Sequence, residues 1–113
     1  IGRYDFIKDI QRLEQIISSR ENIIGYAILL TNDSAYWTRS KDSRLVDADF
    51  RLQEGRPLHG TLSWGEGASE GTKRTREKPL ELRGTYKVHW EDYSQPIAES
   101  YGTFRYLAVK VDR

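Results

Sequence analysis

Tyr4-Asp5-Phe6-Ile7-Lys8-Asp9-Ile10-Gln11-Arg12-Leu13-Glu14-Gln15-Ile16-Ile17 leads through Ser18-Ser19-Arg20 to a second apolar segment, Ile23-Ile24-Gly25-Tyr26-Ala27-Ile28-Leu29-Leu30. In the first segment Phe6, Ile10, Leu13 and Ile17 recur at steps of four, three and four, with Ile7 and Ile16 widening the stripe. That spacing predicts an amphipathic helix over about residues 4–20 with one buried side. Asp5 and Asp9 lie in its first turns and Arg20 near its end, where the helix dipole favours those charges. Asp5 is a candidate cap, although Lys8 stands where a capping box would place Glu or Gln. Lys8, Arg12, Gln15 and Ser19 form the opposite, polar face. The second segment has no alternation and ends at Thr31-Asn32-Asp33, which predicts a central strand over about residues 23–31, covered on both faces.

The second half changes period. Leu58, Gly60, Leu62 and Trp64 alternate with His59, Thr61 and Ser63, and Leu80, Leu82, Gly84, Tyr86, Val88 and Trp90 alternate with Glu81, Arg83, Thr85, Lys87 and His89. Period two predicts strands over about 58–65 and 79–91, each with one wet face. A last strand over about 103–111 has apolar residues on both faces, which places it inside the sheet. The fold class that follows is α+β: one N-terminal amphipathic helix packed on a mixed, mainly antiparallel sheet of about four strands. Residues 34–55 read as a long loop with a helical turn near Val46 to Phe50, and 65–79 as a mobile, charged hairpin loop.

Composition bounds the function. With 113 residues the chain is a single domain or a fragment of one, able to form one thin core. Its 18 Lys+Arg against 17 Asp+Glu give no basic field for nucleic acid, so any such contact must come from local clusters. The absence of Cys excludes a disulfide scaffold, a cysteine-based zinc site and a cysteine nucleophile. No apolar run approaches the roughly 18 residues of a membrane span. Because the chain also lacks Met, Ile1 is not a start residue, and an upstream segment is expected. We place the chain in the cytoplasm, with a secreted mature domain as the alternative.

Several residue groups invite chemistry. Lys73, Arg74, Arg76 and Lys78 are phosphate-binding candidates for DNA, or else the solvated tip of a hairpin. The glycines before them do not make a P-loop, because Gly71 is followed by Thr72 and not by the required Lys. His59 and His89 fall on the polar faces of neighbouring strands, where they can approach each other, but no tight ligand spacing supports a metal there. Trp64, Tyr86 and Trp90 fit a core better than a base-stacking platform, because the helix needs an apolar bed. Glu81 and Arg83, with Asp47 and Asp49 upstream, imitate a nuclease acid-x-Lys arrangement, but Arg does not replace a deprotonatable lysine. We assign no catalytic residue and no metal ligand within the chain.

Gly2-Arg3-Tyr4-Asp5-Phe6-Ile7-Lys8-Asp9-Ile10-Gln11-Arg12-Leu13-Glu14 resembles a segment of uncharacterised bacterial proteins in the PD-(D/E)XK, restriction-endonuclease-like superfamily. Similar pieces follow at Gly25 to Asp33, Asp49-Phe50-Arg51-Leu52, Glu54-Gly55-Arg56, Trp64-Gly65, Gly84-Thr85-Tyr86, Trp90 and Asp92-Tyr93-Ser94, so the resemblance covers most of the chain. It implies the C-terminal part of a nuclease-like protein that acts on DNA with Mg2+, the catalytic strand lying upstream and absent here. Arg3, Tyr4, Asp5, Lys8, Asp9 and Arg12 would then flank the active site, with Lys8 or Arg12 balancing phosphate charge and Tyr4 orienting a carboxylate. The chain alone would be inactive. The alternative is a non-catalytic binding module for a protein or peptide partner. A missing neighbour would leave apolar surface uncovered, so a homo-oligomer through the helix or a sheet edge is also expected.

Overall fold

The computed structural model describes residues 2–20, 22–38, 47–68, 76–93 and 104–112. Helix α1 spans Gly2–Ser18. Five strands follow: β1 (Gly25–Thr31), β2 (Pro57–Leu62), β3 (Leu80–Lys87), β4 (Trp90–Asp92) and β5 (Arg105–Val111). Two short 3-10 turns, Ser34–Tyr36 and Ala48–Phe50, interrupt the connection between β1 and β2. The architecture is α+β, as the sequence predicts, with all described strand pairs antiparallel and divided between two sheets.

The first sheet has the order β1-β5-β4 and the second pairs β2 with β3. Helix α1 contacts β1 and β5 of one sheet and β3 of the other, so its apolar stripe closes one core shared by both. Tyr4, Phe6, Ile7, Ile10 and Ile17 are buried on the helix, against Leu58, Leu80, Leu82, Leu107, Val109 and Val111 of the strands. Each such side chain contributes roughly 1.5–3 kcal/mol on leaving water. Ile16, expected within the stripe, is instead half exposed, because its position turns it off the buried arc. Helix and sheet approach closely at Gly25, where an added Cβ would lie 2.7 Å from Leu13 Cδ2. The missing side chain lets β1 lie under the helix.

Two expectations about the sheet change. The segment 79–91 is not one strand: it breaks at Val88-His89, so β3 serves the second sheet and β4 the first. Strand β5 is central in its sheet, as its two apolar faces predict, whereas among the described residues β1 is an edge strand and not a covered central one. An unbroken apolar run carries no information about which of its faces is covered, and in β1 the outer face is left open.

The β2–β3 ladder contains an irregularity. Leu58 faces Tyr86 and Gly60 faces Leu82, so two steps along β2 match four along β3. Gly60 takes φ +72°, in the left-handed region that glycine adopts at no steric cost. The extra residues bulge β3 toward the helix around Arg83 and Gly84. No helix among the described residues is long and apolar enough to cross a membrane.

Candidate functional site

Alternation along β1 points Ala27 into the core and leaves Ile24, Tyr26, Ile28 and Leu30 on the outer face. These four side chains are 55%, 58%, 67% and 50% exposed, respectively. The ladder places Tyr26 opposite Lys110, Ile28 opposite Ala108 and Leu30 opposite Tyr106 on β5. Beyond β5, Glu91 of β4 pairs with Tyr106, and the exposed Tyr93 follows. The outer face is therefore an apolar and aromatic surface with Lys110 at one end and Glu91 at the other. A shallow concavity of about 430 Å3 lies on it between Ile28, Leu30, Asp92, Tyr93 and Tyr106. The core and α1 occupy the opposite side of this sheet. Scattered exposed apolar residues are ordinary, but a contiguous group on one sheet face is characteristic of an interaction surface.

The border of that face is polar and well organised. Tyr106 Oη donates to Glu91 Oε2 at 2.6 Å, which together with the nearby carboxylate charge holds the phenol above its ordinary pKa. Glu91 Oε1 lies 3.6 Å from His89 Nε2, and His89 Nδ1 lies 2.9 Å from Glu54 Oε2. Glu54 Oε1 accepts the Trp90 N–H at 2.8 Å. Burial alone would raise the Glu54 carboxyl, but the Trp90 amide and the His89 ring together hold it below the usual carboxylate range. The hydrogen bond that His89 donates to Glu54, then the Glu54 charge, raises His89 above 6.5. His89 therefore contributes stability fully below pH 6.5, and that contribution is lost as pH rises through the elevated folded-state value. Glu54→Gln should move the His89 midpoint downward in an NMR titration, while a midpoint unchanged by that substitution would mean the pair does not form. His59 and His89 do not meet. Pro57 pairs with Lys87, and the ladder continues through Arg56 O accepting from Val88 N, which leaves His89 at one end of the strand pair and His59 further along it.

The helix residues expected to flank a catalytic centre fill structural roles or face solvent. Arg3 Nη2 donates to Ala35 O at 3.2 Å, and its guanidinium lies 4.4 Å from the centre of the Tyr36 ring. Tyr4 is buried, donates to Lys78 O at 2.8 Å, and has its pKa raised by that burial and by Asp5. Both oxygens of Asp5 accept from Arg76, at 2.8 and 3.0 Å, and this hydrogen-bonded pair pulls the carboxyl below its ordinary value. Arg12 reaches Asp9 at 3.6 Å in an exposed pair, and Lys8 is half-buried. Of the phosphate-binding candidates, Lys73 and Arg74 lie outside the described residues, and Lys78 is exposed. The described end of the loop expected to be mobile is anchored: Arg76 grips Asp5, Lys78 O receives Tyr4, and Arg76 O receives Trp64 Nε1 at 2.8 Å. Arg76 finds its partner on the helix because the described residues before β3 lie against the first turns of α1.

Glu14 is the residue that sequence reading missed. It is 8% exposed and sits where α1 crosses the bulge of β3. Its carboxylate accepts from Arg83 N at 2.9 Å, Gly84 N at 2.9 Å and Tyr86 Oη at 2.5 Å. One turn earlier, Gln11 Oε1 accepts from Glu81 N at 3.1 Å. Helix side chains thus satisfy the donors of β3 on the edge that β2 does not cover. Burial, then the Glu14 hydrogen bond, raises Tyr86 far above its usual pKa, so the phenol stays protonated and donating. The grooves on either side, about 480 and 340 Å3, are lined in part by Gln11, Glu14, Arg83 and Tyr86. With both oxygens accepting from three protein donors, the Glu14 carboxylate is a structural anchor. Its sequence signal was a Glu at position 14, flanked by Leu13 and Ile17, on the apolar side of the helical spacing.

Among the described residues, no group of three or more His, Asp or Glu side chains converges with metal-binding geometry. Comparison with models of known families, with curated protein sequences and with solved structures finds no match to this chain.

Proposed function

We propose that the chain is a non-catalytic binding module that holds a protein or peptide partner on the outer face of the β1-β5-β4 sheet. The observation that carries this reading is the uncovered row Tyr26, Ile28 and Leu30, preceded by Ile24, on an edge strand without a charged residue or proline. Natural sheets blunt exposed edges with charge, proline or bulges, and β1 has a continuous register with β5 from Gly25 to Thr31. Tyr26, Tyr93 and Tyr106 add the large, amphipathic rings that interfaces favour. Homo-oligomer formation belongs to the same reading, since a second copy is one partner such a face accepts.

A displayed library of extended peptides, selected on the wild-type protein, tests the reading. Sequences with alternating apolar residues should be enriched and should perturb backbone amides of β1, β4 and β5. Binding should fall about 100-fold in Ile28→Glu, which places a charge in the middle of the apolar surface. Enrichment only of peptides that perturb the grooves beside Glu14, or no enrichment on a protein that is also monomeric, would overturn it.

A nuclease-like parent acting on DNA with Mg2+ is a second proposal, supported by the sequence resemblance. Labelled DNA titrated at several salt concentrations addresses it, because contacts from Lys73, Arg74 and Lys78 to phosphates require an affinity that falls steeply with salt.

A further inference from the structure

We infer that the partner on this face is a second copy of the chain, packed face to face about a two-fold axis to give a sandwich of two three-stranded sheets. The inference rests on the reading of this face as an interaction surface and specifies its occupant. Two observations carry it.

The first is the distribution of charge. Lys110 lies opposite Tyr26 and Glu91 opposite Tyr106, so the two charges sit at opposite ends of the face. Lys110 and Tyr106 are four residues apart on β5, about 13 Å along the strand. A two-fold axis in the plane of the face and perpendicular to the strands reverses strand direction between copies. The Lys110 end of one copy then covers the Glu91 end of the other, twice per dimer. Each copy alone also holds Asp112 within 3.7 Å of Lys110 and His89 within 3.6 Å of Glu91, both at the rim, where these exposed pairs can persist. Between the charged ends, Ile28 and Ala108 pair across the ladder near the middle of the row and would meet their own counterparts at the axis.

The second is size. Ile24, Tyr26, Ile28, Leu30 and Tyr93, each at least half exposed, present on the order of 600 Å2 of surface, as large as the largest apolar patch of a typical monomer. Apposing two copies removes about 1,200 Å2 from water, which reaches the range of specific interfaces. Sheets packed face to face lie about 10 Å apart with side chains interdigitated, and Ile, Leu and Tyr at alternate positions suit that spacing.

Sedimentation equilibrium over a concentration series, with folding monitored by circular dichroism, tests the inference. The wild-type protein should give the dimer mass. Ile28→Glu, which faces its own copy at the axis, should weaken association about 100-fold while leaving the fold intact, because Ile28 is exposed in the single copy. Lys110→Glu and Glu91→Lys should each weaken it about tenfold, and the two together should restore it. A monomer at every concentration, a dimer indifferent to Ile28→Glu, or charge reversals that fail to compensate would each overturn the inference. If the protein is monomeric yet selects peptides on the same face, the second copy is excluded and the binding-module reading stands. If it neither dimerises nor selects peptides, both fail.

Discussion

Glu14→Ala is expected to lower the stability of the fold by about 3 kcal/mol, read as a shift of the urea unfolding midpoint at unchanged slope. The substitution removes the acceptor for the amides of Arg83 and Gly84 and for the Tyr86 hydroxyl in one step. Those donors lie between α1 and the bulge of β3, so they lose a partner without gaining full hydration. For a domain with a total stability of about 5–15 kcal/mol the loss is a substantial fraction. Glu14→Gln keeps one acceptor oxygen but turns an amide N–H toward backbone donors, and should cost about 2 kcal/mol. Tyr86→Phe removes a single hydrogen bond and should cost about 1 kcal/mol. A tyrosinate titration supplies an independent check, since Tyr86 should ionise more readily in Glu14→Gln than in the wild-type protein. Equal stability of Glu14→Ala and wild type would mean that water replaces the carboxylate freely, and that the β3 edge is not held by the helix.

Trp90→Ala should be the most damaging single change near the junction of the two sheets, at about 3–5 kcal/mol. Trp90 is buried at the first position of β4, directly after the break at Val88-His89. Its ring packs against Tyr36 and Trp37, with centroids 6.5 and 5.6 Å away. Its indole N–H donates to Leu52 O at 2.7 Å, and its backbone N–H to Glu54. One residue therefore ties the segment after the second 3-10 turn to the first sheet. Trp90→Phe retains most of the apolar contact but leaves Leu52 O without its donor, for an expected cost of about 1–2 kcal/mol. Unfolding midpoints of the two variants separate packing from hydrogen bonding, and a loss of equal size in both would assign the whole effect to the indole N–H.

How much of this was legible in advance depended on the range of the interactions. The helix was legible because Phe6, Ile10, Leu13 and Ile17 repeat with the helical period, β2 and β3 because their residues alternate, and β5 because a strand-length run is apolar on both faces. The break within 79–91 was not, since Val88 and Trp90 continue the alternation although the chain changes sheet between them. Asp5 and Tyr4 stood out as polar groups near a helix start, but their partners Arg76 and Lys78 lie more than seventy positions away. Residue spacing cannot reveal pairs at such separation. The same limit concealed Glu14, whose donors come from a bulge that exists only when β2 and β3 pair with unequal steps.

The sequence by itself determined the α+β class, the helix, the alternating strands, the central position of β5, and the absence of any cysteine-based chemistry or overall basic field. These follow from composition and short-range period, which act within a few residues of chain. Tertiary structure alone decided that β1 is an edge strand, that its apolar row faces outward, and that Lys110 and Glu91 mark the two ends of that face. An apolar side chain has the same local preference whether its face is covered or open. Which of the two holds is set by how many elements pack around the strand, and among the described residues α1 and the core cover one side.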